Sequence, residues 1–143
     1  MKLFKSVCVG GLLLSVVTGA YAHHSYAMFD TTRTVTVTGT VRTLEWASPH
    51  VWLWIEVPDG KGGSDPYGFE TVSPAQIQRD YGWDKNVVKV GDKVTVEFAP
   101  LRSGKNGGEL EKVTLESGRV LATRFTKGAT PPSPDASATT PQK

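Results

Sequence analysis

Alternation of valine and threonine near residue 40 is the sequence feature that most restricts how this chain can fold. Val35, Val37 and Val41 alternate with threonines at positions 34, 36, 38 and 40, which is the two-residue period of a half-buried strand. Gly39 falls on the inward side of that pattern, where a glycine indicates a bend or bulge, and the phase shifts after Arg42. The sequence therefore predicts a coiled strand of the kind that small barrels contain.

Two more strands are predicted before residue 73. The first starts at His50, with apolar residues at 51, 53, 55 and 57 on one face and Trp52, Trp54 and Glu56 on the other. The next covers residues 67–72, whose two aromatic side chains share one face. Both segments have the period expected of strands.

A short helix is predicted after the third strand. Ser73, Pro74 and Gln76 form a capping box, with the proline at the first helical position. The helix should therefore begin at Pro74, run to about Tyr81, and end where Gly82 adopts a left-handed conformation.

Two final strands are predicted at residues 94–98 and around residues 113–115, with a turn-rich stretch at 103–108 between them. The fold is therefore predicted to be all-β: a small five-stranded OB-like barrel with one short helix between strands 3 and 4. A small β-sandwich is the alternative, because element order alone does not define topology.

Residues 1–22 have the three parts of a secretory signal peptide. Lys2 and Lys5 precede an apolar run, and Ala20 and Ala22 provide a small-x-small cleavage site. The apolar run is shorter than the roughly 20 residues that a membrane span needs. We therefore expect export to the periplasm, cleavage after Ala22 and a processed chain with no transmembrane segment.

Cleavage would also change the composition of the chain. It removes the only cysteine, Cys8, and it reduces the 16 basic residues to 14, which equals the number of acidic residues. The processed chain then has no disulfide and no thiolate ligand. Its balanced charge argues against nucleic acid as a partner, since a protein surface that binds nucleic acid needs excess positive charge.

The remaining chain divides into two parts. Residues 23–125 are predicted to form the OB-like domain with an N-terminal arm. Residues 126–143 contain four prolines among alanine, serine and threonine and have no large apolar side chain. Such a segment cannot bury enough surface to offset its ordering entropy, so it is predicted to be a disordered tail. We expect the protein to be monomeric.

Several short motifs resemble those of a family of small exported bacterial proteins of unknown function. They are Ala22-His23-His24-Ser25, Trp46-Ala47-Ser48-Pro49-His50-Val51 and Lys89-Val90-Gly91-Asp92-Lys93-Val94. The similarity covers most of residues 22–121. In that family the central motif more often reads Trp-x-Asn-Pro-His, so Ser48 is a departure. The resemblance implies export and an all-β barrel, and it implies no activity.

The histidines of the processed chain are a candidate copper site. His23, His24 and His50 are its only histidines, and Met28 is its only methionine. The terminal amine and imidazole of His23 would form a chelate, which the imidazole of His50 would complete as a histidine brace, with His24 as the local alternative. Nitrogen ligands favour copper(II), and the Met28 thioether could assist with copper(I). The opposing interpretation is that the histidines are solvated and that His50 caps a strand.

Aromatic residues on the first two strands are a second candidate site. Trp46, Trp52 and Trp54 with Glu56 could form a stacking platform for a peptide or glycan of the cell envelope. The opposing interpretation is an ordinary core, since large aromatic side chains are highly buried on average.

Enzymatic signatures are weak in this sequence. The glycine-rich stretch at 60–64 lacks the spacing of a phosphate loop, and no serine lies in a nucleophile elbow. The sequence therefore favours binding over catalysis. The first hypothesis is a periplasmic copper-binding protein, and the alternative is an envelope interaction module that uses the aromatic face.

Overall fold

The computed structural model describes residues 27–123 of the 143-residue chain. These residues contain six strands and the helix α1 after the third strand. In chain order the elements are β1 (Val35–Glu45), β2 (Trp52–Pro58), β3 (Ser64–Glu70), α1 (Pro74–Tyr81), β4 (Lys93–Pro100), β5 (Gly107–Leu115) and β6 (Val120–Ala122).

The first five strands close into a barrel. β1 pairs antiparallel with β2 on one side and with β4 on the other. β2 in turn pairs antiparallel with β3, and β4 pairs antiparallel with β5. A parallel pairing between β3 and β5 then closes the ring, with Gly68 opposite Gly107. The predicted five-stranded OB-like barrel with a helix between strands 3 and 4 is thus confirmed.

The apolar residues of the alternating patterns face the interior of the barrel, as the sequence predicts. Val51, Leu53 and Ile55 are fully buried on one face of the β2 segment, and Trp52 and Trp54 lie on the other. In β1 the register shifts between Val41 and Thr43, which is the bulge that the phase change indicated. The core therefore fills the barrel, and the tryptophan face of β2 lies outside it.

Gly39 lies where the inward face of β1 approaches a neighbouring backbone. A Cβ at this position would lie 2.4 Å from the carbonyl oxygen of Glu56, far inside van der Waals contact. The glycine thus permits β1 to coil against β2.

Helix α1 has the bounds that its capping residues predict. The Ser73 hydroxyl accepts a hydrogen bond of 3.3 Å from the backbone N–H of Gln76, and Pro74 occupies the first turn. At the other end Gly82 has a φ of 69° and donates to the carbonyl of Gln78 at 3.1 Å. These groups satisfy backbone atoms that a short helix would otherwise leave unpaired.

Three details of the strands differ from the sequence prediction. β3 is Ser64–Glu70 rather than residues 67–72, because its first half pairs with the end of β2. Gly107 and Gly108 belong to β5 rather than to a turn, since both pair with β3. β6 was not predicted, and it packs the buried Leu121 against the core.

Within residues 27–123, no helix has the length and apolar character needed to cross a membrane.

Candidate functional site

A histidine and a glutamate on adjacent strands form the centre of the candidate site. His50 directly follows a cis Ser48–Pro49 bond and lies two residues before β2, whereas Glu70 is the last residue of β3. The β2–β3 ladder places Glu70 opposite Trp52, two residues after His50. The two side chains therefore meet at the same end of the ladder.

The contact between them joins Nδ1 of His50 to Oε1 of Glu70. The Glu70 side chain is 13% exposed and the His50 side chain is 36% exposed, so the carboxylate is the deeper group. No described residue forms a hydrogen bond with Nε2 of His50. The contact at Nδ1 therefore orients the imidazole, and Nε2 remains available to bind a ligand.

The His50–Glu70 pair borders a cleft of about 140 Å³. One part of its wall is Phe29, which precedes β1, and another is Pro49. The polar part of the wall comes from the end of β3, the start of α1, β5 and the end of the described chain: Glu70, Thr71, Ser73, Gln76, Glu109 and Thr123. The cleft thus combines an imidazole with two carboxylates and several hydroxyls.

Glu109 lies beside Glu70 because of the parallel pairing that closes the barrel. The two residues are opposite one another in the β3–β5 ladder, and both line the cleft. Two carboxylates in the wall of one cleft favour a cation over an anion there.

An N-terminal arm brings Phe29 to this cleft. Phe29 forms a β-bridge with Leu101 and is 4% exposed. On either side of it, Asp30 N–H donates to the carbonyl of Pro100 at 2.8 Å and Arg102 N–H donates to the carbonyl of Met28 at 2.9 Å. The arm is therefore held against the barrel immediately after residue 27.

Asp30, the acidic residue of the arm, also contacts side chains of the arm and of the barrel. The Thr32 hydroxyl donates to Oδ1 of Asp30 at 2.6 Å, and Arg102 lies 3.9 Å from the same oxygen. The hydrogen bond from Thr32 and the nearby Arg102 and Arg33 charges lower the pKa of Asp30, although partial burial opposes them.

The predicted metal ligands are distributed between the described and the undescribed parts of the chain. His50 lies at the cleft, and Met28 lies on the arm with 44% of its surface exposed. His23 and His24, like the predicted signal peptide and the predicted tail, lie outside the described residues. Among residues 27–123 there is no group of three or more histidine, cysteine, aspartate or glutamate side chains that could hold a metal.

The predicted aromatic site is divided by the barrel wall. Trp52 and Trp54 stack on the outer face of β2, with ring centroids 5.8 Å apart and planes 17° from parallel. Trp46 packs instead against the hydrophobic core. Glu56 accepts hydrogen bonds from Arg42 at 3.3 Å and from Ser64 at 3.0 Å. The outer face thus has two tryptophans rather than three.

Sequence reasoning did not identify Glu70 and Glu109 as members of the site. Both are outward-facing glutamates on strands, and such residues are most often solvated. The informative signal is the register of β3 with β2 and β5, which brings both glutamates to the end of the barrel where His50 lies. That register depends on pairing between distant segments, which a single sequence does not reveal.

The fold and the cleft define a small OB-like barrel protein with an open polar cleft at one end. The chain belongs to a family of unknown function (DUF6152), whose family model matches residues 11–111. This membership confirms the resemblance to a family of unknown function. No curated protein and no solved structure matches the chain.

Proposed function

We propose that the exported, processed protein binds one copper(II) ion between its N-terminal histidine and His50. The observation that carries the proposal is that Phe29 and His50 line the same cleft. Phe29 follows His23 by only six residues, and six residues span at most about 20 Å. A segment of this length allows the N-terminal amine and imidazole of His23 to reach Nε2 of His50, which supports the proposal.

The chemistry of this ligand set supports copper. The amine and imidazole of His23 form a chelate, and His50 supplies a third nitrogen from a separate segment. Nitrogen donors bind copper(II) more tightly than other divalent first-row metals. Glu70 and Glu109 add negative charge near the cation. His24 is the alternative imidazole, and the Met28 thioether on the same arm favours copper(I).

Periplasmic export is part of this proposal, because cleavage after Ala22 creates the His23 amine. It also removes Cys8, leaving no thiolate to compete for the metal. The proposed role is metal binding rather than catalysis.

Copper titration of the processed chain, residues 23–143, tests the proposal. The matched control carries three extra glycines before His23, which separate the terminal amine from that imidazole without changing the barrel. Three are used because a single glycine would move His24 to the third position, where the amine, the amide nitrogens and that imidazole would form a new copper(II) chelate. We expect the extension to weaken copper binding by more than about 100-fold, since changes beyond the ligands themselves already cost 10–100-fold. His50→Ala should also weaken binding while the barrel remains folded. Equal affinity of the native and extended chains would overturn the proposal.

A second candidate function is favoured by the stacked Trp52–Trp54 pair. Outside the core, this pair could hold a peptide or glycan of the envelope by stacking. Trp52→Ala should then abolish capture of peptidoglycan fragments or envelope peptides, and unchanged capture would exclude the pair as a binding surface. Copper binding should be unaffected in either case.

A further inference from the structure

We infer that Glu70 is a positioning residue, which holds a proton on Nδ1 of His50 and thereby makes Nε2 the metal-binding atom. The metal part of this inference rests on the proposed function. The tautomer of His50 is a property of the metal-free protein, so the two can be tested separately.

The first step is the hydrogen bond itself. An ionised carboxylate only accepts hydrogen bonds, so when Glu70 is ionised the hydrogen of its contact with His50 lies on Nδ1. A neutral imidazole has one N–H, and its other nitrogen then has a free lone pair. In neutral His50 that nitrogen is Nε2, which has no hydrogen-bond partner among residues 27–123.

The second step is the rigidity of the glutamate. Glu70 pairs with Trp52 on one side and with Glu109 on the other, so its backbone is fixed within the closed barrel. Its side chain is only 13% exposed, which limits competition from water. The Glu70 carboxylate is therefore held in place, and it orients the more exposed imidazole of His50.

The third step is the chemical consequence for a metal. A histidine ligand commonly donates its second N–H to a carboxylate, which fixes the ring and raises the basicity of the metal-binding nitrogen. His50 and Glu70 have this arrangement before any metal binds. The protein is thus prepared to use Nε2, and loss of Glu70 should cost about 10–100-fold in copper affinity.

Nitrogen NMR of the histidine side chains in metal-free residues 23–143 tests the tautomer directly. The His50 signals can be assigned by their loss in His50→Ala. At mildly alkaline pH we expect the Nδ1–H form to predominate in the native protein and to lose its predominance in Glu70→Leu. A predominant Nε2–H form in the native protein would overturn the inference whether or not copper binds.

Copper titration of three variants tests the positioning role. Glu70→Leu should lose about 10–100-fold in affinity. Glu70→Gln should lose less, because its amide oxygen still accepts from Nδ1, but more than the control below, because a neutral amide raises the basicity of Nε2 less than a carboxylate does. Glu45→Gln is the matched control, since Glu45 pairs with Trp52 from the opposite side, in the β1–β2 ladder, and lies about 10 Å from Glu70. It should bind within about twofold of the native protein.

The pattern of affinities distinguishes the explanations. Thermal melts identify any variant that fails to fold. If Glu70→Leu fails to fold, the comparison of Glu70→Gln with Glu45→Gln still provides the test. Native-like affinity in a folded Glu70→Leu, or equal losses in Glu70→Gln and Glu45→Gln, would overturn the positioning role. Absence of copper binding by the native protein would overturn the proposed function, and the tautomer would still stand on its NMR result.

Discussion

At the scale of single residues, two tryptophans differ in how their indole N–H groups are satisfied. Nε1 of Trp83 donates to the carbonyl of Ala122 at 3.1 Å, and the side chain is 1% exposed. Nε1 of Trp54 is buried and has no hydrogen-bond partner among residues 27–123. A buried unpaired donor costs free energy, so the two rings make unequal contributions to stability.

Phenylalanine substitutions measure this difference. Trp54→Phe removes an unpaired donor, and we expect the free energy of unfolding to stay within about 1 kcal/mol of the native value. Trp83→Phe loses a hydrogen bond and leaves space in the core, and should cost about 2 kcal/mol or more. Urea unfolding checks both values, and an equal loss in the two variants would contradict the account.

Two glycines, one in β5 and one in the turn before it, allow a second comparison. A Cβ at Gly108 would lie 1.9 Å from the carbonyl oxygen of Ala99, whereas a Cβ at Gly104 meets nothing within 4 Å. Gly108→Ala should therefore destabilise the protein by about 3 kcal/mol through overpacking. Gly104 has a φ of 74°, so Gly104→Ala should cost only about 1 kcal/mol of backbone strain. Similar losses in denaturant unfolding would show that β4 and β5 can separate enough to accept a methyl group.

At the scale of elements, the parts that could be predicted are those with local causes. The bounds of α1 follow from Ser73, Pro74 and Gly82, and the bulge of β1 follows from a break in alternation. β6 has only three residues, too few to show a period. The His50–Glu70 contact was also missed, because it requires the register between two strands, and register is set by the whole barrel.

The cap of α1 provides a prediction at this scale. Ser73→Ala removes the acceptor for the backbone N–H of Gln76, and the free energy of unfolding should fall by about 1 kcal/mol. Gln78→Ala, on the exposed face of the same helix, should leave stability within about 0.5 kcal/mol. If both substitutions are equally mild in urea unfolding, the cap contributes nothing to the fold.

At the scale of the whole molecule, β6 marks where the barrel domain should end. Leu121 is 6% exposed, Ala122 accepts the Trp83 hydrogen bond, and Thr123 donates to the carbonyl of Leu110. These contacts are lost if the chain stops before β6. The proline-rich residues 126–143 have no large apolar side chain, so the sequence predicts that they contribute little to stability.

Two truncations test this boundary. A chain that ends at residue 125 should melt within about 3 °C of the longer chain. A chain that ends at residue 118 should melt about 10 °C lower or more, since it loses roughly 3 kcal/mol of burial and hydrogen bonding. A large drop on removing residues 126–143 alone would show that the tail stabilises the barrel.

The central claim is that processing creates a copper ligand at His23 which acts together with His50. Native mass spectrometry of the protein secreted by a bacterial host, loaded with one equivalent of copper(II), tests this claim most directly, because one spectrum reports both the N-terminus and the metal count. We predict the mass of residues 23–143 with one copper ion, and a sharply reduced copper-bound fraction in His50→Ala. A chain that retains Cys8, or a chain beginning at His23 that carries no copper, would contradict the account.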